Sequence, residues 1–171
     1  NVAGGGVGGG PVVRDDGTPH DQASFVDTMS LNAFGTFNAT RLVAAAMATN
    51  TPDEDGWRGT IVNTSSIAGY EGQHGQVAYA AAKAAIIGMT LPLARDLASF
   101  GIRVCSIAPG PMGTPALLEA LPHLDEDPSD GIPFPARLGR PDEYARLVES
   151  VLDNPYLNGA DLRLDGAHRL P

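Results

Sequence analysis

Apolar positions along the chain recur with two different periods. From about Ser24 to Asn50, Phe25, Val26, Met29, Ala33, Phe34, Phe37, Leu42 and Val43 return at helical spacing, which predicts one long helix. Thr60-Ile61-Val62-Asn63-Thr64 is short and rich in β-branched residues, the pattern of a buried strand. Gln76 to about Ser99 is alanine-rich and predicts a second long helix, stopped by Gly101. Arg103 to Ala108 reads as the next strand, ended by Pro109-Gly110. A helix from Pro141 to about Leu152 opens with proline, and Asp142 and Glu143 suit its positive end. Ala160 to Leu164 is a last strand, and Asp165-Gly166 turns the chain away.

The intervening segments read as loops. Asn1-Val2-Ala3-Gly4 looks like the end of a strand entering a turn, and Gly4 to Gly10 is glycine-rich. Turn residues fill Asp15 to Pro19, Thr51 to Gly59 and Ser65 to Gly75, and a proline-rich, acidic stretch runs from Pro109 to Gly139. Strands alternating with helices imply βαβ units and an α/β fold on a parallel sheet. Three strands and a stub are few for such a sheet, so neighbours that belong beside them are expected outside this sequence. Residues 1–171 show no internal repeat and no second domain.

Composition narrows the function class. A formal charge of −9 argues against a nucleic-acid groove, which needs clustered Lys and Arg. No basic segment with an apolar run opens the chain, and no unbroken apolar run approaches the ~18 residues of a membrane span. Cys105 is the single cysteine, so an internal disulfide is impossible and a reducing, cytoplasmic setting is expected. In its apolar run Val104-Cys105-Ser106-Ile107 it reads as a buried structural thiol. The partner to expect is a small molecule.

Lysine occurs once, at Lys83, in a chain that otherwise writes its basic residues as arginine. That exception points to a place requiring an ammonium. Tyr79 lies four residues earlier, on the same face of the predicted helix. Ser66 precedes Tyr79 by twelve intervening residues and follows a strand end, where open α/β sheets bind ligands. Oxidising an alcohol needs a group that takes the hydroxyl proton as hydride leaves carbon. A free phenol, with a pKa of about 10, is a poor base near neutrality, and a nearby ammonium is expected to lower it. Ser66 would hydrogen-bond the same substrate oxygen.

Ser66–x12–Tyr79–x3–Lys83 resembles the catalytic signature of the short-chain dehydrogenase/reductase family. Asn1-Val2-Ala3-Gly4 looks like that family's Asn-Asn-Ala-Gly turn. Leu31-Asn32 resembles the helical site of its fourth catalytic residue, an asparagine that holds a relay water. Pro109-Gly110, with Met112 and Thr114, resembles the loop whose Thr hydroxyl holds the nicotinamide carboxamide. Within the family, Glu71-Gly72-Gln73 with Gly75-Gln76, Gly88-Met89-Thr90-Leu91-Pro92, Pro133 to Gly139 and Asn154 to Gly159 are similar to the type-2 3-hydroxyacyl-CoA dehydrogenases. The resemblance implies a Rossmann-like doubly wound parallel sheet, here without its first half, within a single N-terminally incomplete domain. It implies catalysis by Asn32, Ser66, Tyr79 and Lys83. Asn1, Val2, Ala3, Gly4, Tyr79, Lys83, Pro109, Gly110, Met112 and Thr114 would contact the cofactor, and Ser66, Gln73 and Gln76 the substrate. It further implies NAD-linked oxidation of 3-hydroxyacyl-CoA in a homotetramer.

Alternatives stay open. An NADPH-dependent 3-oxoacyl-thioester reductase would use the same residues, and the segment that chooses NAD or NADP precedes Asn1. A non-catalytic half-domain that pairs with another chain is the third. Pro115 to Pro135 corresponds to the family's substrate-covering segment. Leu117, Leu118, Leu121, Ile132 and Phe134 would line an acyl chain there, or else cap the core.

Other motifs carry less. Gly4-Gly5-Gly6-Val7-Gly8-Gly9 satisfies G-x-G-x-x-G but opens no helix, so it reads as a flexible loop. Asp53-Glu54-Asp55-Gly56 lacks the calcium-loop spacing, and it and Asp125-Glu126-Asp127 read as exposed acidic loops. His20, His74, His123 and His168 show no metal-ligand spacing, although His74 lies close enough to touch substrate. Asn38-Ala39-Thr40 and Asn63-Thr64-Ser65 match glycosylation acceptors in form only.

Overall fold

Three parallel strands form the sheet: β1 (Gly59–Thr64), β2 (Ile102–Pro109) and β3 (Asp161–Leu164), in the order β1-β2-β3. The structure is a computed structural model that describes residues 1–5, 9–120, 122, 124 and 127–171. Leu121, His123, Asp125, Glu126 and the centre of the Gly4–Gly9 loop, named above, lie outside the described residues.

β2 is central and buried almost throughout. Its apolar run therefore lacks the alternation of a half-exposed strand. Side-chain alternation assigns the two faces. Ile61 and Val104 point into a core shared with Ala44 of helix α2 (Gly35–Met47) and Ala94 of helix α3 (Val77–Leu97). On the same face, Thr90 of α3 and Ser106 of β2 pair their hydroxyls at 2.8 Å. Thr64 and Arg103 point the other way, toward helix α5 (Pro141–Asp153). Helices thus cover both faces of a parallel sheet, the Rossmann-like arrangement expected.

Arg103 holds α5 to the sheet. Its guanidinium is buried and donates to the carbonyls of Val151, Leu152, Asn154 and Leu157 at 2.8–3.2 Å. Val151 and Leu152 are among the carbonyls that a helix end leaves without partners, and Asn154 and Leu157 belong to the turn that follows. At the other end of α5, Glu143 accepts from the Arg140 backbone N–H at 2.8 Å and pairs with both guanidinium nitrogens of Arg137.

The predicted Ser24–Asn50 helix differs from the structure in two ways. It begins earlier, as α1 (Gln22–Met29), because the Asp21 carboxylate accepts from Ala23 N and Ser24 N. It is also interrupted by a π turn over Ser30–Phe34 before α2 begins. The Asn32 side chain donates to Thr28 O, competing with the backbone for that carbonyl.

A second correction concerns the stretch expected to be irregular. Pro115–Ala120 forms a short helix, α4, for which the Thr114 hydroxyl accepts from Leu117 N. A Thr-Pro start supplies both the cap and a preset first residue. No unbroken apolar run is long enough to span a membrane, although one helix passes on mean hydropathy. The segment Val77–Phe100 is long and apolar enough by composition to cross a bilayer. Here it packs on β2, with Ala78, Ala82, Ile86 and Ala94 in the core. Cys105 is fully buried, as expected, and burial pushes its thiol pKa up.

Candidate active site

The C-terminal ends of β1 and β2 bring the singled-out residues together. Lys83, almost wholly buried on α3, donates its Nζ to the Thr64 carbonyl at 3.0 Å. Burial lowers its pKa to about 8. Tyr79 lies one turn earlier, with Lys83 Nζ 5.6 Å from its ring centroid.

The tyrosine departs from the sequence expectation. Burial raises the Tyr79 phenol above its ordinary value, and the Ser66 hydroxyl only partly offsets this. Lys83 does not bring it down, because its nitrogen is itself desolvated and turned to the Thr64 carbonyl.

Ser66 follows β1 at the cap of a 3-10 turn, Ile67–Gly69, and accepts from Ala68 N at 3.2 Å. Close packing sets that turn against α3. A Cβ on Gly69 would stand 2.8–2.9 Å from Ile87, Ala84 and Lys83 atoms. The absence of a side chain there is what lets the serine loop rest on the helix that carries Tyr79. Across the sheet, Ser65 donates to Asp161 at 2.6 Å, and Asp161 also accepts from Ser106 and from Tyr70. These bonds tie the loop to β2 and β3.

Asn32 is fully buried at the centre of the π turn. Its amide donates to Gly5 O at 2.7 Å and its carbonyl accepts from Gly5 N at 3.1 Å. Gly4 has no room for a side chain, since a Cβ would lie 2.6 Å from Asn32 Oδ1 and 3.3 Å from Lys83 Nζ. Asn1 runs beside β1, accepting from Thr64 N and donating its side-chain amide to Asn63 Oδ1.

A cleft of about 470 Å³ gathers most of the residues expected at a nicotinamide. Val2, Gly4, Tyr79, Lys83, Pro109, Gly110, Met112 and Thr114 line it, together with Thr64, Leu117 and Tyr144. Asn1 and Ala3 do not line it; Asn1 serves as a brace on β1. Met112 is fixed by a bridge to Gly139. The Thr114 hydroxyl accepts from Leu117 N, which leaves its proton to donate. Gly110 abuts Asp165 so closely that a Cβ would lie 3.1 Å from its Cα and Cβ. A flat ring with a carboxamide fits this set of small residues and one free hydroxyl donor.

The substrate candidates separate. Gln76 lines a second cleft of about 340 Å³ with Tyr79, His20, Gly5, Gly9 and Gly75. Gln73 accepts from Gln76 Nε2 at 3.2 Å but lines an adjoining cleft, together with His74. Of the proposed acyl wall, Leu117 lines the nicotinamide cleft, and Leu118 is exposed. Ile132 is buried against Gly166, and Phe134 is 83% exposed. Among the described residues of that set, Leu117 lines the cleft and Ile132 packs in the core, so the two readings of the segment divide between them. Among the described residues no His, Cys, Asp and Glu cluster could hold a metal.

Sequence reasoning passed over Tyr144, His20 and Asp161. Tyr144 pairs its hydroxyl with Thr64 Oγ1 at 2.6 Å beside Lys83's carbonyl partner. Its position on the core-facing stripe of α5 reads as packing, and nothing local marks it otherwise.

Known proteins match this chain in sequence and fold. A family model described as short chain dehydrogenase matches residues 2–124. The human 3-hydroxyacyl-CoA dehydrogenase type-2 is 51% identical over 154 residues, covering 90% of this chain and 59% of that protein. The crystal structure of 3-hydroxyacyl-CoA dehydrogenase type-2 from Mycobacterium avium superposes with a TM-score of 0.91 at 52% identity, covering 98% of this chain and 64% of that one. A 7α-hydroxysteroid dehydrogenase complexed with NADH and 7-oxo glycochenodeoxycholic acid gives a TM-score of 0.78 at 30% identity, covering 100% of this chain and 63% of that one. The chain spans only about three fifths of the length of these relatives. On fold, site geometry and sequence together, this chain belongs to the short-chain dehydrogenase family.

Proposed function

We propose that the protein carrying this chain oxidises a 3-hydroxyacyl-CoA, or a similar secondary alcohol, to the 3-oxo compound with NAD. The observation that carries the reading is the single cleft joining Tyr79 and Lys83 to Gly110, Met112 and Thr114. It sets a proton-transferring oxygen beside a place shaped for a nicotinamide. The relatives named for 3-hydroxyacyl-CoA support the substrate class.

In this reading Tyr79 takes the proton of the substrate hydroxyl, and Ser66 hydrogen-bonds the same oxygen as charge develops on it. Lys83 keeps a cation beside the phenol, held in place by the Thr64 carbonyl. Asn32 pins the Gly5 backbone beneath the site. Thr114 and the Pro109-Gly110 backbone hold the carboxamide end. The chemistry a bound nicotinamide would supply here is acceptance of the hydride from the substrate carbon. Exposed Val26, Leu31, Phe34, Phe37, Leu42 and Val43 on α1, the π turn and α2 support assembly with further copies, as a homotetramer.

The test is NAD-dependent oxidation of 3-hydroxybutyryl-CoA by that protein, run beside NADP. NAD-linked turnover is expected. Turnover with NADP alone would favour the reductase reading, and none with either would overturn the assignment.

A further inference from the structure

We infer that His20 is a substrate-recognition residue, whose Nδ1 accepts a hydrogen bond from the amide N–H of the substrate's pantetheine arm. The inference rests on the thioester reading above and deepens it.

Three observations carry it. His20 lines the same small cleft as Tyr79 and Gln76, a space open to the part of a substrate beyond the carbon that Tyr79 would serve. Its Nδ1 is buried and has no hydrogen-bond partner among the described residues. Buried polar atoms are nearly always paired in native proteins, and an orphan beside a cleft points to a partner that arrives with the ligand. The residue is also held at two points, one on its backbone and one on its ring. Its backbone N–H donates to Val12 O at 2.8 Å, and its Nε2 pairs with Ser24 Oγ at 3.2 Å.

The hydrogen-bond pattern assigns the tautomer. Ser24 has one hydroxyl proton, and the Asp21 carbonyl, which can only accept, takes it. The oxygen therefore accepts from Nε2–H, which leaves Nδ1 as a lone pair. A lone pair recognises a donor. The 3-hydroxyl of the substrate is taken by Tyr79 and Ser66 in the reading above and the thioester offers acceptors only, whereas the pantetheine arm carries an amide N–H a few bonds beyond the sulfur. The rest of the cleft suits such an arm. Gly5, Gly9 and Gly75 line it without side chains, and the Gln76 Nε2 is turned to Gln73, leaving its carbonyl oxygen as a second acceptor.

Among the described residues the two other orphaned side-chain nitrogens are Arg103 Nε and His168 Nδ1. The first belongs to a guanidinium already bonded to four carbonyls, and the second faces Gly131, away from the catalytic clefts.

The experiment compares acetoacetyl-CoA with ethyl acetoacetate, a 3-oxo ester without the arm, in wild type, His20→Phe and His20→Asn. Butyryl-CoA, which cannot react, reports binding by calorimetry. In His20→Phe the KM for acetoacetyl-CoA and the Kd for butyryl-CoA should each rise about five- to tenfold, the loss of one hydrogen bond. Kinetics on ethyl acetoacetate should not change. His20→Asn, whose Oδ1 stands near the position of Nδ1, should restore most of the binding. Equal losses on both substrates, or an unchanged Kd in His20→Phe, would overturn the role of His20. A wild type that does not prefer acetoacetyl-CoA over the ester would instead overturn the thioester reading, and the inference with it.

Discussion

Lys83 donates its ammonium to the carbonyl oxygen of Thr64 at 3.0 Å, from a position almost wholly removed from solvent. This bond crosses from the long helix to the end of the first strand and fixes the cation at the mouth of the sheet. Burial there is costly, and the cost appears as a pKa of about 8 in place of 10.5.

That cost predicts a trade of stability against function. At pH 7 the lysine is charged in both states, and the folded state carries the full penalty of about 3 kcal/mol. Between pH 8 and 10.5 the unfolded chain binds the proton more tightly, so this penalty fades and stability rises with pH. Lys83→Met should therefore raise stability at pH 7 by about 2 kcal/mol, after about 1 kcal/mol for the lost bond to Thr64, while abolishing turnover. Urea titrations at pH 7 and 10 measure both effects. A destabilised variant with unchanged pH dependence would refute the argument. Lys83→Arg should also lose activity, since a planar guanidinium cannot take the place of the ammonium.

Gly4→Ala should disturb the site through Asn32. The added carbon would lie 2.6 Å from Asn32 Oδ1, and overpacking of this kind costs about 1–3 kcal/mol. Asn32→Ala removes the bonds to Gly5 and Thr28 without a clash. Both variants should lower kcat, and Gly4→Ala should lower the melting temperature more. The combination of kcat and thermal melts distinguishes displacement of the asparagine from its loss.

Arg103→Met should destabilise the fold by about 3 kcal/mol, because it strips one buried donor from the carbonyls of Val151, Leu152, Asn154 and Leu157 at once. The site lies at the opposite ends of the strands, so the folded fraction should keep its KM. A midpoint shift in urea without a change in KM is the expected result.

The elements that were readable from sequence are those fixed by local chemistry. β1 is a β-branched run in which buried and half-buried positions alternate, and β2 is an apolar run buried almost throughout; α3 is stopped at Gly101, and α5 starts at Pro141 with Asp142 and Glu143 behind it. The Tyr79-Lys83 pair was legible because a helix places residues four apart on one face. The π turn was not, since the Asn32 side chain that competes for the Thr28 carbonyl is also held by Gly5, far away in sequence. Asp161, Tyr144 and His20 were missed for the same reason: each acquires its meaning from a partner on another element. The α4 helix is a different case. Its Thr114-Pro115 start was visible, but the surrounding prolines masked it.

The most direct test of the account is Tyr79→Phe in the protein that carries this chain, measured as NAD-linked turnover together with the affinity for butyryl-CoA. Removing the proton-transferring oxygen should lower kcat on the order of 10²–10⁴-fold and leave the Kd unchanged. Turnover near the wild-type rate would contradict the assignment of Tyr79.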